Sequence, residues 1–218
     1  MGTDLIRKTE TFLKEKLKEN PYFFEQHDQF EYRLNHSRRV ARIGAVIAEK
    51  EGMDKEAMII ACLLHDIAYA HPSIIGNGWI NHGRCSASIA RPFLTDLNLA
   101  PEIIRNILYG IAIHVDDKAD FEGERTPFAL TVGDADNIDR YGAIRLLDQL
   151  NEARFSEADR HEKLEILGGL LRKAEERRAD ILSTAAAAAL WEECLNLRLL
   201  FLTSLISQIE NSAGLSPR

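Results

Sequence analysis

The sequence has few of the features that build disulfide scaffolds, nucleic-acid surfaces or membrane spans. Only three of its 218 residues are cysteines (Cys62, Cys85 and Cys194), and their spacing forms neither a zinc site nor a disulfide framework, as is usual in a reducing compartment. The net charge of −7 gives no overall electrostatic attraction to nucleic acid or to an anionic membrane surface, and a local basic pocket stays open. No apolar run is long enough to span a bilayer, and residues 1–5 lack the pattern of a signal peptide. We therefore expect a cytoplasmic protein without a membrane or nucleic-acid partner.

Helical periodicity runs through the whole chain and predicts an all-α fold. Hydrophobic residues make up 45% of the sequence, enough to bury a substantial core. Val40 and Ile47 lie on one apolar stripe that ends at Gly52, a typical helix end. We expect helices near residues 10–18, 35–52, 54–66, 81–97, 101–111, 126–139, 146–151, 160–183 and 185–209, with a bend or break at Pro92, a loop at 72–78 and a frayed tail at 211–218. These elements are expected to form one domain, residues 1–218.

A histidine–aspartate pair, His65 and Asp66, stands at the end of the apolar run 61–64. Burying an imidazole and a carboxylate beside leucines is costly unless another group replaces their lost hydration. A divalent metal ion does so, and mixed nitrogen and oxygen ligands suit Mn, Fe, Ni, Zn or Mg better than a thiolate-preferring ion. The pair therefore predicts a metal site.

Four further candidate ligands lie near the ends of apolar stripes on separate predicted helices: His36, His82, His114 and Asp136. His36, for example, precedes Val40 by four residues and shares its helix face. Taken singly, each of the four can instead be a core or capping side chain. Taken together, so many polar residues on core stripes favour convergence on one pocket. His27 and His161 fall in polar surroundings, and we interpret them as surface residues.

The order of these residues resembles a known family. His36, then Leu64-His65-Asp66, then Asp134-Ala135-Asp136 is similar to the HD-domain superfamily of metal-dependent phosphohydrolases, over about residues 30–145. The resemblance implies a helical bundle in which residues 30–145 form the metal-binding core and residues 146–210 a C-terminal helical extension. The matching residues of the family hold one metal, here His36, His65, Asp66 and Asp136. A subset with two more histidines, matched here by His82 and His114, holds two metals bridged by the aspartate of the pair, so we expect two ions per chain.

Residues 134–139, and the segments that follow Asp66 and His114, show how closely the sequence resembles particular branches of this family. Asp134 is the rival of Asp136 as a ligand, and Asp139 is expected to support a ligand from outside the metal sphere. Residues 67–71 lack the acidic groups that follow the pair in some nucleotide-hydrolysing members. No Gly-Tyr-Pro segment follows His114, which disfavours the cyclic-dinucleotide phosphodiesterase branch. Helices beyond residue 145 match no pattern of the family and can form a lid, a dimer surface or packing.

The resemblance implies hydrolysis of a nucleotide or another small phosphoester by a metal-activated water. Asp66 would then be the catalytic residue that bridges or orients the nucleophile. A phosphorylated substrate also needs cations, and Arg39, one turn from His36, and Arg84 are the predicted substrate-binding residues. Arg38 and Lys118 stand behind them, and ordinary solvated side chains are the alternative for each. A homo-oligomer is compatible with the sequence.

Two other functions stay open at this point. The same set of six ligands occurs in HD-domain di-iron oxygenases that resemble inositol oxygenase, and histidine-rich ligation with carboxylate is compatible with iron. Metal content together with oxygen consumption separates the two enzyme classes. A degenerate domain that acts only as a binding module is the third hypothesis, and the complete ligand set argues against it.

Overall fold

The structure is a computed structural model that describes residues 2–74 and 80–212. Over these residues the chain forms ten α-helices and no strand, which confirms the predicted all-α fold. The helices are α1 (Gly2–Lys18), α2 (Tyr22–Glu25), α3 (His27–Glu51), α4 (Lys55–Leu64), α5 (His82–Asp96), α6 (Pro101–Ile113), α7 (Pro127–Tyr141), α8 (Ala143–Glu152), α9 (Arg160–Glu176) and α10 (Ala185–Asn211). Short 3-10 helices occupy Ile67–Ala70, Pro72–Ile74 and Arg177–Ala179. The predicted loop at 72–78 and the predicted tail at 211–218 lie partly outside the described residues.

Local sequence signals set three of the helix ends that matter for the site. Gly52 follows α3 with a φ of 70°, a left-handed conformation that glycine adopts without steric cost. The side chain of Asp54 accepts a hydrogen bond of 3.0 Å from the amide of Ala57 and begins α4. Pro101 stands in the first turn of α6, where its missing N–H is not needed. Each of these ends lies where the sequence predicts it.

The starts of α1 and α3 differ from the prediction because tertiary packing extends both helices. α1 begins at Gly2 rather than near residue 10, and α3 begins at His27 rather than near residue 35. The added turns of α3 bury Phe30 and Leu34. Burial of one face stabilises helical turns that carry no start signal of their own.

The structure also differs from the prediction within α5 and at the end of α9. α5 runs without a break through Pro92, which is exposed two residues before the buried Leu94. α9 ends at Glu176 rather than near residue 183. The carbonyl of Arg177 accepts a hydrogen bond of 3.2 Å from the amide of Asp180, so the chain tightens into a 3-10 turn there.

The described chain forms two compact units. The N-terminal unit extends to Asp139 and includes Ser183–Ala187, and the C-terminal unit comprises Arg140–Leu182 and the residues from Ala188 onward. In the C-terminal unit, α8, α9 and α10 contribute the buried residues Leu146, Leu150, Leu167 and Leu202 to one apolar cluster. The division into a core at 30–145 and an extension at 146–210 stays a prediction. Among the described helices, none combines the length and the apolar character needed to cross a membrane.

Helix α4 lies in the interior of the N-terminal unit and packs against α1, α3 and α6. Almost its whole surface is buried, through Ala57, Met58, Ile60, Ala61, Cys62, Leu63 and Leu64. A helix that is apolar nearly all round is stable only inside a protein. α4 therefore delivers the two residues that follow it, His65 and Asp66, into the middle of this unit.

Candidate metal centre

The six predicted metal ligands meet in the N-terminal unit, most of them at helix ends. His65 and Asp66 follow α4, His82 is the first residue of α5, and His114 follows α6. The remaining two project from within helices, His36 from α3 and Asp136 from α7. Five of the six residues are at least nine-tenths buried, and the side chain of His114 is 1% exposed. Groups of this polarity are buried together only when they satisfy one another or a bound ion.

Four of these side chains form what we call the first ligand set: His36, His65, Asp66 and Asp136. Nε2 of His36 lies 3.2 Å from Nε2 of His65, 3.2 Å from Oδ1 of Asp136 and 3.5 Å from Oδ2 of Asp66. Nε2 of His65 lies 3.6 Å from Oδ2 of Asp66 and 3.7 Å from Oδ1 of Asp136. Two donors bound at about 2.1 Å to one ion lie about 3 Å apart at a right angle, so this spacing fits one shared metal ion.

Three side chains form the second ligand set: Asp66, His82 and His114. The other carboxylate oxygen of Asp66, Oδ1, lies 3.1 Å from Nε2 of His82 and 3.8 Å from Nε2 of His114. The two imidazole nitrogens are 3.2 Å apart. Asp66 thus presents Oδ2 to the first ligand set and Oδ1 to the second, the arrangement of a carboxylate that can bridge two ions.

The imidazole rings are held with Nε2 toward these sets. Nδ1 of His65 lies 2.7 Å from the carbonyl oxygen of Cys62, and Nδ1 of His114 lies 2.7 Å from that of Ile111. A carbonyl only accepts hydrogen bonds, so Nδ1 carries the proton and Nε2 of the neutral ring keeps its lone pair. Both carbonyls belong to the residue three positions earlier, at the end of the helix that the histidine follows. These contacts fix the tautomer that a metal requires.

His36 is oriented by a carboxylate instead of a carbonyl. Its Nδ1 lies 2.8 Å from Oδ2 of Asp139, one turn after Asp136 on α7. Asp139 is held in turn by Arg39, whose Nε and Nη2 donate to its two oxygens at 2.7 Å and 2.9 Å. Although burial alone would raise the pKa of Asp139, His36 and Arg39 keep that pKa below its usual value. An ionised Asp139 thus supports His36 from outside the first ligand set.

The charges of the cluster fit a metal cation. Burial alone would lower the pKa of His36, yet Asp136, Asp139 and Asp66 hold that pKa well above its usual value. Burial alone would raise the pKa of Asp66 and Asp136, yet the surrounding imidazoles hold both values well below the usual range. The carboxylates are therefore ionised and need positive charge beside them. Divalent metal ions supply such charge, and the His and Asp donors present here suit them.

The other residues singled out in the sequence have protein partners elsewhere. Asp134, the rival of Asp136, accepts hydrogen bonds from the amide and the hydroxyl of Ser183. Arg84 donates from Nη1 to both oxygens of Asp116, at 2.9 Å and 2.7 Å. A role in substrate binding stays a prediction for Arg84 and for the Asp139-bound Arg39. His27, His71 and His161 are exposed, as predicted for the first and the last.

Sequence reasoning missed Arg33. Its Nη1 donates to Oδ2 of Asp66 at 3.0 Å, and its guanidinium carbon lies 3.5 Å from the centre of the Tyr69 ring. The side chain is 25% exposed, so one cation is reachable from solvent at the edge of the metal centre. The available signal was spacing, because Arg33 precedes His36 by three residues and shares its face of α3.

Comparison with known proteins gives one family and a set of similar folds. Residues 33–141 match the model of a family described as HD domain. A predicted HD superfamily hydrolase from an uncultured Thermotogales bacterium is 20% identical with a TM-score of 0.61, over 93% of this chain and 91% of its own. Bacillus subtilis YpgQ, solved in complex with ADP, is 21% identical with a TM-score of 0.60, over 98% and 97%. At these identities the likeness shows a shared fold. No curated protein matches the sequence.

Proposed function

Because this chain belongs to the HD-domain family, as its sequence predicted, we propose that it is a metal-dependent phosphohydrolase acting on a nucleotide or another small phosphoester. The observation that carries the proposal is Asp66, whose two oxygens each face a separate histidine-containing ligand set. Divalent ions held there would activate a bound water and polarise a phosphoryl oxygen. The ions are two per chain in this proposal, drawn from Mn, Fe, Ni, Zn and Mg.

The contacts of each side chain indicate its role in the proposed reaction. His36, His65 and Asp136 would hold one ion with Asp66, and His82 and His114 would hold the other with the same carboxylate. The ions would supply an activated water, and Asp66 is the catalytic residue that would orient it. The partners at Nδ1 keep the rings of His36, His65 and His114 fixed, so that little reorganisation of them is needed during the reaction.

Arg33 supports an anionic substrate. Its guanidinium is the cation that contacts the metal-binding carboxylate, and it remains partly exposed. A planar guanidinium binds phosphate oxygens in pairs, and here the stacked Tyr69 ring limits its motion. The solved complex of YpgQ with ADP makes nucleotides the first substrates to test. We place the protein in the cytoplasm and leave a homo-oligomer as part of the proposal.

The decisive experiment combines metal analysis with a substrate screen. Protein purified without added metal is analysed for bound ions, then assayed for phosphate or pyrophosphate release from nucleotides and other phosphoesters with Mn, Ni, Mg and Fe. Arg33→Met should weaken kcat/KM at least about tenfold, the loss of one charge-assisted hydrogen bond. Arg42→Met is the matched control, because Arg42 also lies on α3 and is exposed.

Two results would contradict the proposal. One is the absence of release from every phosphoester with every metal. The other is iron-dependent oxygen consumption without hydrolysis, which would establish the oxygenase instead.

A further inference from the structure

A second concave site lies in the C-terminal unit, between α8 and α10. It is a pocket of about 240 Å³. Its walls are the apolar side chains and small residues Tyr141, Gly142, Ala143, Leu146, Leu147, Leu150, Cys194, Leu197 and Phe201, together with Arg198. All of them belong to the C-terminal unit, and none contributes to the metal centre.

Arg198 is the one charged side chain in the wall of this pocket, and it is only 4% exposed. Its Nη1 donates to the carbonyl of Tyr141 at 3.2 Å, and its Nη2 donates to Oε1 of Gln149. Nε is buried without any hydrogen-bond partner. Among the described residues, no carboxylate forms an ion pair with this guanidinium, and the nearby charge of Arg145 repels it.

A buried guanidinium in this state lacks two things. Its charge has lost hydration without gaining a counter-ion, and one N–H has lost its acceptor. Burial accordingly holds the pKa of Arg198 below its usual value. A carboxylate supplies both missing partners at once, because its two oxygens match the fork formed by neighbouring guanidinium N–H groups.

The residues at the rim of the pocket indicate what the uncharged part of the ligand is. Leu147, Leu197 and Phe201 line the pocket and yet are 59%, 58% and 48% exposed. Ile144 of α8 and Leu200 of α10 are also exposed but do not line the pocket. Contiguous exposed apolar side chains of this kind mark binding surfaces. The pocket therefore suits a ligand with an apolar body and one anionic end.

We propose that this pocket binds a small anionic amphiphile, a carboxylate on a short alkyl chain, with the carboxylate on Arg198 and the chain along Leu147 and Phe201. At about 30 Å³ for each water-sized group, the volume accommodates about eight non-hydrogen atoms. Octanoate has about ten, so its chain fills the pocket and reaches the exposed rim, which makes it a suitable probe. Octanol, an uncharged ligand with the same alkyl chain, makes the same apolar contacts with the pocket but leaves Arg198 without a counter-ion.

Calorimetric titration of the full-length, metal-loaded protein tests this site. Octanoate should bind at one saturable site per chain, at least about tenfold more tightly than octanol, since a charge-assisted bond is lost with the alcohol. Arg198→Met should weaken octanoate binding at least about tenfold and leave octanol binding unchanged. Leu200→Ser is the control, because Leu200 lies on the exposed surface of α10 but does not line the pocket.

A second variant keeps the test decisive if Arg198→Met fails to fold, as judged by its thermal unfolding and metal content. Leu147→Trp fills the pocket while Arg198 remains, and it should abolish octanoate binding. Equal affinity for octanoate and octanol, or no saturable binding, would overturn the proposal. So would a dimer in light scattering that Leu197→Glu dissociates and that octanoate does not bind, because a second copy would then be the occupant.

Discussion

Asp66 is the residue on which both ligand sets depend. Its oxygens lie 3.1 Å from His82 and 3.5 Å from His36, on opposite sides of one carboxylate. Removing the carboxylate therefore takes a donor from each set, whereas removing one histidine takes a donor from one. Side chains in this position differ from packing residues in their expected effect, since their loss removes an ion as well as contacts.

Asp66→Ala is expected to abolish metal binding at both ligand sets, and His65→Ala to remove the ion of the first set, and each should abolish hydrolysis. Both residues are buried among donors to one ion, so the remaining ligands keep too few contacts to hold it. Metal per chain, measured by mass spectrometry after gel filtration, and phosphate release check this. His161→Ala is the control, since that side chain is 81% exposed. Unchanged metal stoichiometry in both variants would disprove the site assignment.

His82→Ala and His114→Ala should each lower the metal content by about one ion per chain. Both rings belong to the second ligand set, and without either of them the first set keeps its four donors, although His114 also lies within reach of His65 and Asp136. The same stoichiometry measurement distinguishes this result from the complete loss expected for Asp66→Ala. If a loaded structure shows one ion with both rings turned toward a phosphate, the binuclear assignment is wrong and the two histidines are substrate ligands.

The raised pKa of His36 predicts that the stability of the metal-free protein depends on pH. Although burial alone would lower it, the carboxylates of Asp136, Asp139 and Asp66 hold the pKa of His36 in the folded state well above its usual value. Protonation thus stabilises the metal-free fold fully below about pH 6.5, and this stabilisation is lost as the pH rises through the raised value. Thermal unfolding with a chelator should therefore show a Tm that falls as the pH rises above about 6.5. Metal-loaded protein should fall less, because the ion replaces the proton, and a flat profile for metal-free protein would contradict the assignment.

At the scale of the helices, α5 and α6 meet at a glycine. A Cβ on Gly83 would lie 2.6 Å from the carbonyl oxygen of Ala112 and 3.0 Å from that of Ile111. Backbone atoms cannot yield as a flexible side chain does, so any larger residue pushes the two helices apart. The same contact places His82 of α5 beside His114 at the end of α6.

Gly83→Ala should therefore destabilise the protein by about 1–3 kcal/mol and lower the metal content of the second ligand set. Gly168→Ala is the matched control within α9, where the added Cβ meets nothing within 4 Å. That control should leave metal content unchanged and stabilise the fold by up to about 1 kcal/mol, from helix propensity alone. Denaturant unfolding and metal analysis of both variants give the comparison. Equal effects of the two substitutions would refute the close-packing argument.

The helices show which features a sequence can predict and which it cannot. Apolar periodicity located α3 and α6 and the face that carries His36, because burial and spacing are coupled within one helix. The start of α3 was missed, since Phe30 and Leu34 stabilise its first turns through contacts with other helices. Arg33 was missed for the same reason. Its spacing was visible in the sequence, but its contact with Asp66 exists only once α3 lies against the end of α4.

At the scale of the whole molecule, the division into two compact units predicts which part of the chain a bound metal ion stabilises. All six ligands belong to the N-terminal unit. An ion bound only by folded protein stabilises it by about 2.7 kcal/mol at a free concentration of a hundred times Kd. Removing metal should therefore increase hydrogen exchange at the C-terminal ends of α4 and α6 and leave α8 and α9 unchanged. Equal increases in α8 and α9 would show that the units unfold as one.

The distribution of ligands along the chain also sets the order of events during folding. The first ligand set needs His36 and Asp136, which are separated by 100 residues and by the three α-helices α4, α5 and α6. Small zinc domains, by contrast, take their ligands from one short segment and fold only around the ion. We therefore expect the ion to bind last, after long-range closure has brought α7 beside α3. Helix formation followed by circular dichroism should consequently proceed at one rate with or without metal, and metal uptake should follow it.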